Sequence, residues 1–212
     1  MTAKLLAETI GTFVLVLTIG LAGLQDGATA PIAIGLALTV AVYAGGPVSG
    51  AHFNPAVTVA AWMRGALPAR EMLPYMVAQF TGGLVAAFLV YKFLGVAMHV
   101  APKEGASALK VLTGEAIFTF ILAWVVLSVA TVKAAAGNSY FGLAIGGTVT
   151  AGAFAMGPIT GGAFNPAVGL APAIIESMVA GPATPLFWVY VVGPVIGAAA
   201  AATAFKYMHP GE

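Results

Sequence analysis

Long apolar runs, cut by glycine, proline and a few charges, dominate the chain. They predict membrane-spanning helices over roughly 4–24, 31–49, 72–98, 109–132, 138–157 and 185–207. Two further helical pieces, roughly 54–64 and 165–178, are too short to cross a hydrocarbon core of about 30 Å at about 1.5 Å per residue. Each must therefore enter the membrane and turn back. That is tolerated only where the non-helical backbone is buried in protein or lines a cavity.

The pattern repeats internally. Residues 46–57, GPVSGAHFNPAV, align without gaps on residues 157–168, GPITGGAFNPAV, at an offset of 111 positions, with eight of twelve pairs identical. Glu8 with Thr12-Phe13 is matched by Glu115 with Thr119-Phe120 at an offset of 107. An odd number of crossings separates the two copies, so they face opposite ways in the bilayer. The result is an inverted repeat of about residues 1–98 and 109–212, within one domain spanning 1–212. Transport proteins built this way place their site near the midplane, where the interrupted segments meet.

Composition agrees with the bilayer as solvent: 60% hydrophobic residues, 7% charged and 27 glycines leave a water-soluble globule short of polar surface. A net charge of +1 excludes a strongly basic nucleic-acid surface. Without cysteine there are neither disulfides nor thiolate metal sites. Lys4, Arg64, Arg70, Lys133 and Lys206 fall on one side, against Lys92, Lys103 and Lys110 on the other. This bias predicts a multi-pass protein of the cell membrane, plasma or inner, with both termini cytoplasmic and Asp26, the 99–108 loop and Glu176 outside.

The chemistry concentrates in two Asn-Pro-Ala turns, Asn54-Pro55-Ala56 and Asn165-Pro166-Ala167. Asparagine caps a helix by accepting from an orphan backbone N–H, and proline is favoured next because its missing N–H costs nothing. Ser49-Gly50 and Thr160-Gly161-Gly162 supply a flexible, extended approach whose carbonyls can line a pore. Half-helices dipping from opposite sides bring two positive dipole ends to one spot, repelling cations. The amides of Asn54 and Asn165 can then both donate to a passing oxygen, which hinders a proton relay along a file of water.

Glu8 and Glu115 are the only acids within the predicted spans. They could couple transport to protons, or act as buried acceptors for the backbone N–H groups of the re-entrant loops. Their symmetric placement without a partner base favours structural support.

Residues 49–58, SGAHFNPAVT, closely resemble the signature of the aquaporin and aquaglyceroporin family, the major intrinsic proteins. The likeness extends to Glu8 and Glu115, to Gln79 with Gly82, and to Phe187-Trp188 leading to Gly193-Pro194. It implies an all-α membrane fold, an aquaporin-like right-handed bundle of six transmembrane helices plus two re-entrant half-helices. It further implies a homotetramer with one pore per subunit, and passive conduction without a cofactor, metal or energy source. His52 sits where the family's histidine lines the cytoplasmic mouth.

In that family a second, outer narrowing sets selectivity, and by distance from the two motifs its positions here are Ile34, Ala153, Gly162 and Val168. Val168 departs from the pattern, since the family nearly always has arginine there. Arginine would supply a fork of donors and a permanent charge; valine supplies neither. The ring is therefore expected to be wide and apolar, passing small neutral solutes such as glycerol, urea, ammonia, hydrogen peroxide or silicic acid beside water. Cation exclusion would then rest on the asparagine pair.

The alternatives are a water-selective pore, or an ion channel or proton-coupled transporter exploiting the missing arginine and the buried acids. An enzyme is disfavoured, because no nucleophile with a base, metal-ligand cluster or phosphate loop is present in the sequence.

Overall fold

The computed structural model describes all 212 residues and contains eight α-helices: α1 (Thr2–Gln25), α2 (Ala30–Ser49), α3 (Pro55–Arg64), α4 (Ala69–Leu94), α5 (Ala108–Ala130), α6 (Phe141–Thr160), α7 (Pro166–Val179) and α8 (Val189–Met208). All but α3 and α7 are long and apolar enough to span a bilayer. Three spans differ in their boundaries from the sequence expectation. The third span begins at Ala69 and stops at Leu94, where Gly95 takes a left-handed φ of 68°. The last begins only at Val189, after a run of turns. The fifth runs from Phe141 to Thr160 because Pro158 is accommodated inside the helix, as Pro47 is inside α2.

The repeat is visible in the packing. α1 lies along α4 and α5 along α8, while α2 meets α6 across the two halves. Each half-helix packs chiefly against the opposite half, α3 on α8 and α7 on α4. Close approach explains the small residues. A Cβ on Gly82 would land on the Thr9 carbonyl, and a Cβ on Gly197 would land on the corresponding Ala116 carbonyl. Gly35 and Gly146 form the equivalent contact between α2 and α6, each facing the other's carbonyl oxygen. Lipid offers no hydrophobic drive between helices, so dispersion contacts of this kind must hold the bundle together.

The fully buried acids, with Gln79 and the two asparagines, gather where the half-helices begin. Glu8, Gln79 and Glu115 are fully buried, and Asn54 and Asn165 are each 3% exposed. Glu71, outside the expected span, sits in the first turn of α4 and pairs with Lys4 at 3.0 Å.

Gly82→Val and Gly197→Val are each expected to destabilise the bundle by about 1–3 kcal/mol or more, because the new side chain meets backbone that cannot yield. A lower thermal midpoint of the purified protein in detergent would register it, and an unchanged midpoint would contradict this packing.

Candidate functional site

Helix α2 ends with Gly50 at φ 88° and α6 with Gly161 at φ 91°, and the chain then reverses through further left-handed residues. Among them are Ala51 (φ 52°), Phe53 (φ 48°) and Phe164 (φ 50°), conformations that cost a non-glycine residue about 1–2 kcal/mol. The approach to each half-helix is thus a set of tight left-handed turns, not the flexible, extended approach expected from sequence. Hydrogen bonds donated to the buried acids hold it in that shape.

Glu8 accepts from Ser49 Oγ (2.6 Å) and the His52 N–H (3.0 Å) on one oxygen, and from the Phe53 N–H (2.7 Å) and Gln79 Nε2 (2.7 Å) on the other. Glu115 repeats the arrangement with Thr160 Oγ1 (2.7 Å), the Ala163 N–H (3.2 Å) and the Phe164 N–H (2.6 Å). No glutamine completes the second set. Counting from Tyr75 and Tyr190, whose hydroxyls donate to the Ser49 and Thr160 carbonyls, the counterpart of Gln79 is Pro194.

These bonds sort the loop backbone by polarity. The N–H groups of residues 161–164 bond within the protein, to Gly157 O, Thr160 Oγ1 and Glu115. The carbonyls of Gly50, Ala51 and His52, and of Gly161, Gly162 and Ala163, accept no hydrogen bond from the chain. All six residues line cavities.

Asn54 Oδ1 accepts from the Ala56 N–H (2.8 Å) and, more loosely, the Val57 N–H (3.4 Å); Asn165 Oδ1 accepts from the Ala167 N–H (2.9 Å). The caps leave Pro55 and Pro166 at the first helical position. The amide nitrogens then reach across the repeat: Asn54 Nδ2 donates to Phe164 O (2.9 Å) and Asn165 Nδ2 to Phe53 O (2.8 Å). Each amide therefore commits one N–H to the opposite loop and keeps one for a passing molecule. Each strained phenylalanine peptide is held at its N–H by a carboxylate and at its carbonyl by the other half's asparagine.

Both asparagines open onto a cavity of about 600 Å³. Its wall includes Ile34, Ala153, Gly162 and Val168, so the four positions expected to form the outer narrowing share one surface with Asn54 and Asn165. A second cavity of about 640 Å³ lies on the side of Lys4 and Lys133. His52, Val126 and Ile145 line both. The His52 ring lies between the cavities, with Nδ1 3.2 Å from Thr58 Oγ1.

Sequence reasoning missed the segment from Met98 to Ala101, which folds into the mouth of the first cavity. His99, in the loop expected to lie outside, is on that wall with Nδ1 2.6 Å from Glu176 Oε1 at the end of α7. Only the apolar Met98 and Val100 on either side of it, both buried, hinted that this loop turns inward.

The family model described as Major intrinsic protein matches residues 1–205. The probable aquaporin AqpM of Archaeoglobus fulgidus is 37% identical over 195 residues, covering 89% of this chain and 79% of its own. Aquaporin NIP1-3 of Oryza sativa subsp. japonica is 40% identical over 214 residues, covering 96% and 72%. Among solved structures, the aquaglyceroporin from Plasmodium falciparum shares the fold with a TM-score of 0.86 at 22% identity, covering 97% of this chain and 95% of that one.

Glu8→Gln is expected to lower stability by about 2–4 kcal/mol, since an amide would turn a donor toward donors in a buried network. Glu115→Gln should cost less, because its carboxylate gathers three donors where Glu8 gathers four. Thermal unfolding of the two variants in detergent gives the order; equal losses would contradict it.

Proposed function

The chain belongs to the major intrinsic protein family, and we propose that its two cavities and paired asparagines form a passive transmembrane passage for water and small uncharged solutes. The reciprocal bonds of Asn54 and Asn165 carry this reading, because they fix two helix N-termini and two remaining amide donors at one point. A permeating oxygen can accept from both. A cation meets the positive ends of α3 and α7.

Asn54, Pro55, Ala56, Asn165, Pro166 and Ala167 are assigned to that central site, and Ile34, Ala153, Gly162 and Val168 to the outer filter. His52 lines the inner mouth. Glu8 and Glu115 support the loops, a role consistent with having every carboxylate oxygen occupied by donors. The same occupancy counts against proton coupling, which needs a carboxylate free to exchange its proton. We read residues 1–212 as one channel domain of two inverted repeats, working as a homotetramer in the cell membrane with both termini cytoplasmic.

With Val168 in place of the usual arginine, the filter offers width rather than charge, which favours glycerol- or urea-sized cargo over strict water selectivity. Stopped-flow light scattering of proteoliposomes tests this: urea and glycerol should enter well above the rate of empty vesicles. Val168→Arg should cut urea and glycerol flux about tenfold or more while reducing water flow far less. An equal loss for all three, or no change, would contradict the assignment. Current under an applied voltage would favour an ion channel instead.

A further inference from the structure

We infer that the size limit of the passage lies on its inner side, in a ring of His52, Val126 and Ile145, and not at the outer narrowing. The inference rests on the channel reading above and adds to it the residues that decide how wide a solute can pass.

The outer four positions do not divide the passage. Ile34, Ala153, Gly162 and Val168 line one cavity that continues past them both ways: to Pro31 toward the mouth, and to Leu38 and Val149, one turn deeper on α2 and α6. The break comes further in. On α2, Leu38 borders the outer cavity and Val42, one turn on, the inner one. Only His52, Val126 and Ile145 border both spaces, so the first loop, α5 and α6 meet at that level.

The inverted repeat explains why the narrowing sits there. At the offsets of 107 and 111, the counterparts of Val126, Ile145 and His52 on the outer side are Ile19, Ile34 and Ala163. The aliphatic members nearly cancel in volume, whereas an imidazole stands on the inner side where the outer side has a methyl group. Val42 likewise lines the inner cavity where its counterpart Ala153 lines the outer one.

The imidazole is held in place. Its Nδ1 lies 3.2 Å from Thr58 Oγ1, which also accepts from Gln79 Nε2 at 3.0 Å, and the Tyr75 ring packs 5.2 Å away. Val126 and Ile145 are both buried, so close packing fixes their side chains as well. Where a pore selects by diameter, its tightest ring decides what passes. With valine at position 168 the outer ring gives up that role, and it falls to the inner one.

Glycerol and pentaerythritol share hydroxyl chemistry and differ in girth, since pentaerythritol is branched. Their protein-mediated uptake is measured in proteoliposomes after subtraction of the empty-vesicle rate, with osmotic water flow recorded on the same vesicles. Wild type is expected to take up glycerol about tenfold faster or more. His52→Ala, and Val126→Ala as a variant that leaves every loop hydrogen bond untouched, should each narrow that gap about fivefold or more. Val149→Ala makes the same truncation one turn outward from Ile145, on a side chain that lines only the outer cavity, and should leave the gap within about twofold. Equal wild-type rates, or an inner-ring variant that conducts water but keeps the wild-type gap, overturn the inference and leave the channel reading standing. So does an effect of Val149→Ala as large as that of the inner-ring variants. Water and glycerol both entering wild-type vesicles no faster than empty ones sinks the channel reading itself.

Discussion

Two buried carboxylates decide which way the re-entrant backbone faces. Non-helical chain at membrane depth exposes both N–H and C=O groups, and lipid satisfies neither. Glu8 and Glu115 gather the N–H groups on one side of each loop, at distances between 2.6 and 3.2 Å, and so turn the carbonyls of 50–52 and 161–163 away toward the cavities. The left-handed Phe53 and Phe164 are the local cost of that reversal. Without the carboxylates the loops would hold unpaired N–H groups beside packed helices, and the passage would have no ordered polar wall.

The halves are joined by the same logic in reverse. Asn54 caps α3 with its oxygen and grips the second loop with its nitrogen, while Asn165 does the mirror operation. Neither half can position its loop alone, because each phenylalanine carbonyl is held by an asparagine of the other repeat. Close packing supports the junction. Gly82 and Gly197 let α4 and α8 approach the α1 and α5 backbones that carry the acids. The inverted repeat thus builds one site from two incomplete ones.

The two halves have also diverged around the loops. His52 and Thr58 in the first repeat correspond to Ala163 and Gly169 in the second, and Gln79 to Pro194. The first loop therefore carries a ring, and its carboxylate gathers an extra donor. The second loop carries only backbone polarity. Val168 extends that apolar character along the wall of the first cavity.

Much of this was legible in the sequence because its physics is local or periodic. Apolar run length set the spans, the Asn-Pro pairs set the two half-helix starts, and the offset of 111 between the Asn-Pro-Ala turns marked the internal repeat. The placement of Glu8 and Glu115 at matching points implied acceptors for the loops. The fold decided what depends on three-dimensional neighbours. It fixed the donation of each asparagine N–H to the opposite loop, the left-handed turns in place of an extended approach, and the end of α4 at Leu94. It also brought His99 to the cavity wall. A hydrogen bond between residues more than a hundred positions apart leaves no periodic trace in the chain. Which N–H a side chain keeps is settled only when both loops reach the centre together.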